Sequence, residues 1–291
     1  MDQAILNLYD EYTHRPLPRR VFLDRLTKLA GSAAAAAALL PLLDNNYAKA
    51  AVIADNDPRV SGGPITFAGP GYQIKGYLAK PKAATGKMPG VIVIHENRGL
   101  NPHLEDVARR AAVAGFVAIA PDGLSMTGGT PPTDDGAREA FAKLDRNEAV
   151  KLFVAAVSYL KNHADSTGRV GAVGFCWGGG MAHSLSFASP DLASAVAYYG
   201  APLPATADVA KVKIPMLLNY GGLDTNLNGG LPAYEAAAKA ANVKYTLYVY
   251  EGANHAFNND TNAARFDKAA SDLAWQRTVD FFNATLKPTP M

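Results

Sequence analysis

The sequence predicts an α/β fold: an open, mostly parallel sheet with helices on both faces and no large cap domain. Three observations predict it. From about residue 58, short apolar or β-branched runs alternate with longer helical patterns, the rhythm of parallel strands joined by crossover helices. Runs such as "GVIVI" and "PMLLNY" are apolar almost without interruption, as strands covered on both faces must be. No repeat period and no Pro/Gly/Ser linker divides this stretch, so it reads as one domain. A chain of 291 residues, 48% hydrophobic and 19% charged, supplies the core such a domain needs.

Taken in order, "ITFAGPGYQIKGYLAKP" reads as an N-terminal hairpin, "GVIVIHE" as a strand, "LEDVARRAAVAG" as a helix and "FVAIAPD" as a strand. One long helical pattern from about Ala137 to His163 leads into the buried strand "RVGAVGF". A helix from about Trp177 follows, then strands "ASAVAYYG" and "IPMLLNYGG", a helix "PAYEAAAKAA", a strand "KYTLYVYEG" and a closing helix including "LAWQRTVDFFNATL". In sheets of this kind, reactive groups gather beyond the carboxyl ends of the strands.

The first fifty residues differ in kind. Arg19 and Arg20 stand before an uncharged run from Leu29 to Leu43, which ends near the small-x-small signature Ala48-Lys49-Ala50. That is the order of a secretory leader, and paired arginines followed by "VFL" resemble a twin-arginine leader. The run of roughly fifteen residues is shorter than the roughly twenty that cross a bilayer. The expectation is a leader over residues 1–50, engaged by the export machinery and cleaved after Ala50, with a single domain over 51–291 in an exported, periplasmic setting. The alternative is an N-terminal helix retained on the mature protein.

Composition narrows the function. The 28 basic and 26 acidic residues leave a formal charge of +2 with no block of either sign, which argues against nucleic-acid binding. One cysteine forms no internal disulfide, and no Cys/His spacing suggests a structural metal, so no metal or other cofactor is expected. That cysteine, Cys176, lies in Gly174-Phe175-Cys176-Trp177-Gly178 at a strand-to-helix junction, the thiol form of a nucleophile elbow. A turn this tight forces the central backbone into a strained conformation and leaves space only for glycine two positions away on either side. The helix N-terminus beyond it favours a thiolate or an oxyanion.

Two other strand ends present partners. "LLNYGGLDTN" offers Asp224 and "YVYEGANHAF" offers His255, so nucleophile, acid and histidine follow the chain order of α/β-hydrolases. His255 would take the thiol proton and return it to the leaving group, and Asp224 would fix the imidazole tautomer. Of the other histidines, His14 falls in the leader, His183 lies two turns into the helix after the elbow, and His95 ends a strand.

Over nearly all of the chain after the leader, "VIVIHENRGLN", "APDGL", "GAVGFCWGGGMA", "VAYYG", "GGLD" and "NHAF" resemble the dienelactone hydrolase (carboxymethylenebutenolidase) family of α/β-hydrolases. The leader together with "HENRGLNPHLEDVARR" is similar to an exported branch of it. The resemblance implies Cys176, Asp224 and His255 as triad, with Glu96 as the glutamate that pairs with the resting thiol. It also implies an oxyanion hole from the backbone amides of Asn97 and Trp177. One departure stands out. The family's two carboxylate-binding arginines have no match: "PDGLSMTGG" contains no arginine and Asn258 takes the later place. A guanidinium fork cannot be replaced by asparagine, so an acid-bearing lactone is a doubtful substrate. Arg98 and Arg138 are alternative cations, Arg98 is a candidate pocket residue, and Trp177, Tyr199, Tyr220 and Phe257, at or near strand ends, are candidates for an apolar pocket wall.

The reading is a small ester or lactone hydrolase working through a thioester acyl-enzyme, with a homodimer as a candidate assembly. Two rivals are a non-catalytic scaffold that binds an acyl ligand or protein partner, and a thiol redox sensor, which would lack a resolving cysteine.

Overall fold

The computed structural model describes residues 1–15, 17–49 and 52–287. Eight strands form one sheet: β1 (Val60–Ala68), β2 (Gln73–Pro81), β3 (Met88–Ile94), β4 (Val117–Pro121), β5 (Ser166–Phe175), β6 (Leu192–Tyr198), β7 (Met216–Gly221) and β8 (Tyr245–Tyr250). Their order is β1-β2-β4-β3-β5-β6-β7-β8, antiparallel from β1 to β4 and parallel from β4 onward. Every residue of β3, β4 and β7 is buried, as their unbroken apolar sequences require.

Three helices precede the sheet: α1 (Gln3–His14), α2 (Arg19–Ala30) and α3 (Ala33–Leu43). Then come α4 (Pro102–Val113), α5 (Asp134–Ala142), α6 (Arg146–Lys161), α7 (Trp177–Ala188), the single turns α8 (Thr206–Val209) and α9 (Thr225–Asn228), α10 (Leu231–Ala240) and α11 (Lys268–Leu286). The single helix expected between Ala137 and His163 is two. Asp145 ends the first pattern by capping the next helix, its carboxylate accepting from the amides of Asn147 and Glu148.

Two apolar layers cover the sheet. Ile92, Ile94, Leu152, Phe153, Val157 and Leu160 are among the residues of one, and Val91, Val93, Leu104, Val107, Phe175 and Phe282 of the other. A third cluster belongs to α1–α3. Tyr9, Tyr12, Phe22, Leu26 and Leu43 are buried there, with Tyr12 and Phe22 stacked at 4.3 Å. This segment is tied to the domain: Gln3 donates to Asn254 Oδ1 at 2.7 Å, Asn46 N to Thr261 O at 2.8 Å and Asn97 Nδ2 to Thr13 O at 2.6 Å.

Among the described residues no single helix is long and apolar enough to cross a membrane, and α2 and α3 are bent by 111° where they meet. The expected cleavage point at Ala50 and Ala51 lies outside the described residues.

Candidate active site

β5 ends in the elbow. Cys176 has φ 52° and ψ −115°, a conformation that L residues rarely adopt, and it directly precedes the first residue of α7. Its amide donates to Tyr198 O at 3.0 Å and its carbonyl accepts from Ala201 N at 2.9 Å, which locks the turn to the end of β6. The flanking glycines are steric necessities: a Cβ on Gly174 would lie 1.9 Å from Gly178 O, and one on Gly178 would lie 2.3 Å from Ile94 O. Strain of this kind persists only where the surroundings over-determine it.

The loops after β7 and β8 are stitched together, which is how residues distant in sequence meet. Gly222 N donates to Tyr250 O at 2.7 Å and Leu223 N to Ala253 O at 2.9 Å. Asp224 caps α9 and accepts from His255 Nδ1 on Oδ2 at 2.7 Å. With Nδ1 held as the donor, Nε2 is the nitrogen left to exchange a proton. It is buried and has no hydrogen-bond partner among the described residues, and a His255 ring nitrogen lies within 4.8 Å of the Cys176 sulfur.

A group that sequence reasoning left in the leader completes the surroundings of the sulfur. His14, the last residue of α1, places Nε2 3.0 Å from Cys176 Sγ. Its ring meets that of His255 edge-on at 4.6 Å. Its Nδ1 lies 2.9 Å from Asp10 O and 3.2 Å from Asp10 Oδ1, so it too is held as a donor. Asp10 in turn faces Arg265 Nη1 at 3.6 Å. The signal was in the sequence: Asp10 and His14 are four apart on one face of an amphipathic helix.

Charge is balanced at close range. Burial pushes the Cys176 thiol up, but the facing His14 imidazole, with His255 beside it, outweighs this and brings it down to about 6. Burial pushes His14 down, and the Cys176 sulfur and Asp10 raise it to about 10. His255 is also raised well above the ordinary imidazole range, with Asp10 and Asp224 overcoming its burial. His14, Cys176 and His255 are close enough for their atoms to share a metal ion. However, two atoms 3.0 Å apart on one zinc at ordinary Zn–S and Zn–N lengths would subtend about 90°, well short of tetrahedral. The contact has the length of a hydrogen bond.

Glu96 and Asn97 follow β3 and line the same narrow cleft as Cys176 and His255, together with Arg98. Glu96 does not pair with the thiol. Its Oε2 accepts from Asn259 Nδ2 at 2.8 Å, and His14 occupies the position against the sulfur that the resemblance assigned to it. The Trp177 amide opens α7, where no earlier helical carbonyl exists to accept from it. His95 shapes this corner, accepting from Gly123 N at 2.8 Å and stacking on Trp177 at 5.6 Å.

The expected aromatic wall is different. Tyr199, Tyr220 and Phe257 are fully buried and line none of the cavities around the sulfur. Tyr199 and Phe257 pack against each other at 5.4 Å behind His255, and Tyr220 sits in the opposite layer, donating to Gly200 O at 3.3 Å. A strand-end position fixes height along the sheet, not the face on which the ring packs. Of the expected wall residues Trp177 alone takes that place, joined by Phe141, Leu17, Pro202 and Leu227 around a cavity of about 880 Å³ that reaches Cys176. Asn258, where the family's arginine was expected, is buried and accepts from Ser271 Oγ at 2.8 Å.

Comparisons with known proteins bear on the family and the fold. The Dienelactone hydrolase family model matches residues 74–286. The chain is similar to a protein from Salmonella typhimurium named "Putative carboxymethylenebutenolidase", 32% identical over 242 residues that span 78% of this chain and 88% of that one. It is also similar to the "Putative hydrolase fragment YghX" of Escherichia coli, 51% identical over 112 residues, 38% of this chain and 96% of the fragment. Among solved structures, the crystal structure titled "Putative Dienelactone Hydrolase" from Klebsiella pneumoniae superposes with a TM-score of 0.71 at 28% identity, covering 77% of this chain and 98% of that one. Elbow, strand order and matched span together place this chain in the dienelactone hydrolase family.

Proposed function

We propose that this carboxylic ester and lactone hydrolase of the dienelactone hydrolase family works through Cys176 as nucleophile, with His255 and Asp224 as its proton-transfer pair. The sulfur attacks the acyl carbon, a C–S bond forms, and the carbonyl electron pair moves to oxygen. The amides of Asn97 and Trp177 receive that oxyanion. On collapse the C–O bond to the alcohol breaks and His255, protonated on Nε2 in the resting site where its imidazole is raised well above the ordinary range, gives the leaving oxygen that proton. Water, deprotonated by the same nitrogen, then adds to the thioester carbon, the C–S bond breaks, and the sulfur leaves as a thiolate beside the reprotonated His255. The observation that carries this reading is the 2.7 Å bond from His255 Nδ1 to Asp224, which orients the free Nε2 toward the elbow.

The cavity favours a neutral, apolar acyl group. Arg98 is paired with Asp134 at 3.2 Å, and Arg138 donates to Tyr12 O at 3.1 Å while lying over the Tyr12 ring. Neither offers a free fork to a carboxylate. A panel of small esters and lactones with and without a free carboxylate, run against wild type and Cys176→Ala, tests both points. Neutral substrates should be preferred, hydrolysis should vanish in the variant, and an acyl adduct should appear by mass on Cys176 alone. Turnover that survives the substitution would end the thiol mechanism.

A further inference from the structure

Two imidazoles face the Cys176 sulfur, that of His255 within 4.8 Å and that of His14 at 3.0 Å, and the second has no role in the mechanism above. His14 and His255 are arranged alike: each has Nδ1 against an aspartate, the Asp224 carboxylate for His255 and the Asp10 carbonyl with its carboxylate at 3.2 Å for His14, and His14 Nε2 lies on the sulfur. From these contacts we propose that His14, oriented by Asp10, is a positioning residue that takes the resting proton of Cys176 and holds it as a thiolate, making α1 a working part of the site. The retained N-terminus, read from the sequence as the alternative to a cleaved leader, is therefore the form that fits. The catalytic consequence rests on the thiol mechanism; the ionisation of the sulfur does not.

Position supports this. His14 stands between the 880 Å³ cavity reaching Cys176 and a second of about 660 Å³ beside Asp224 and His255. Cys176 lines the first cavity, and His14 holds its sulfur at 3.0 Å. The His14 side chain keeps 23% of its surface exposed, the side chain next to it, Thr13, is buried, and the Thr13 carbonyl is fixed by Asn97, so the backbone that carries the histidine is anchored. The packing that carries it is substantial: Tyr9, Tyr12 and Phe22 are fully or nearly fully buried beneath α1.

Other charges face the pair from each neighbouring element. Asp10 belongs to α1 itself, and Arg15 follows it at the rim of both cavities. From the loops after β7 and β8 come Asp224, His255 and Arg265. Glu96 and Arg98 approach from the end of β3, and Arg138 and Glu139 from α5. Arg265 and Arg98 already have carboxylate partners, Asp10 and Asp134, which leaves the two imidazoles as the cations nearest the sulfur. Burial raises the thiol and His14 is the first charge that lowers it, to about 6.

The test is the pH dependence of Cys176 alkylation by iodoacetamide in the full chain, which requires no ester turnover. In wild type the rate should rise through a midpoint near pH 6. In His14→Gln the midpoint should move up by about one unit or more, so that alkylation near pH 6 slows about fivefold or more and the difference closes above pH 9. Imidazole added to His14→Ala, where the side chain's removal opens a space beside the sulfur, should restore part of the rate. An unmoved midpoint in folded His14→Gln overturns the proposal, as does failure of both variants to fold, which would make the residue structural only. A mature chain isolated from its host that begins near Ala51 would lack His14 and overturn it equally. Loss of hydrolysis in Cys176→Ala bears on the mechanism alone, so the two ideas fail separately.

Discussion

The two aspartate–histidine pairs on Cys176 are built from opposite kinds of contact. Asp10 and His14 meet because one turn of one helix puts them on the same face, and their side chains keep 23% of their surface exposed. Asp224 and His255 meet because two strand ends converge, and theirs are only 3% and 6% exposed. The local pair is simple to form but is only as secure as the docking of α1. The distant pair depends on the whole parallel sheet, and burial makes each of its hydrogen bonds harder to dispense with. The difference points to a division of labour: the buried pair moves protons during turnover, and the helical pair sets the resting charge of the sulfur.

The sharpest way to break that division is Asp224→Asn. The amide would donate to Nδ1 and leave the proton of the neutral ring on Nε2, the wrong tautomer for accepting one. Turnover of a good ester should fall by about a thousandfold or more, as loss of the orienting carboxylate does elsewhere. Iodoacetamide alkylation near pH 6 should change far less, because His14 still faces the sulfur. Equal losses in both assays would show that the two pairs act as one unit.

Legibility followed the same line. The sheet, the elbow and the Cys-Asp-His order could be read because each has a local mark: an unbroken apolar run, glycines at fixed spacing, or a polar residue just after a strand. The pocket wall could not, since which face a strand-end ring takes depends on the layers that form around it, as Tyr220 and Phe257 show by lying in opposite ones. His14 was hidden for another reason. Paired arginines and an apolar run have the composition of a leader, and the residues ahead of them make an amphipathic helix whose buried side includes Leu8, Tyr9 and Tyr12. Composition cannot separate a segment that is removed from one that docks.

Phe22→Ala tests the docking directly. Phe22 is 1% exposed and contacts both Tyr12 and Tyr9. Deleting such a ring costs about 3–5 kcal/mol of local packing. Because the third apolar cluster is separate from the two on the sheet, the loss should loosen α1–α3 and leave the α/β domain folded. Faster hydrogen exchange over residues 3–14 should accompany slower alkylation near pH 6, approaching the His14→Gln value. Faster exchange without slower alkylation would mean that the thiolate does not depend on where α1 sits.

The smallest effect is expected from Asp10→Asn, and its size discriminates between charge and orientation. The Asp10 carboxylate is held well below the usual range: burial raises it, and His255 and His14 more than compensate. Removing its charge withdraws support from both imidazolium ions, yet the Asp10 carbonyl, 2.9 Å from His14 Nδ1, remains to fix the ring. The sign follows from the imidazole: its raised value falls back, it gives up its proton at lower pH, and the thiolate loses part of its counter-charge there. The alkylation midpoint should therefore rise, but by less than in His14→Gln, with a few-fold slowing near pH 6 because the carboxylate is partly open to solvent. A shift as large as that of His14→Gln would make the carboxylate, not the imidazole, the source of the effect. No shift would leave the backbone carbonyl as sufficient support, and the likeness between the two pairs would then be one of geometry and not of charge.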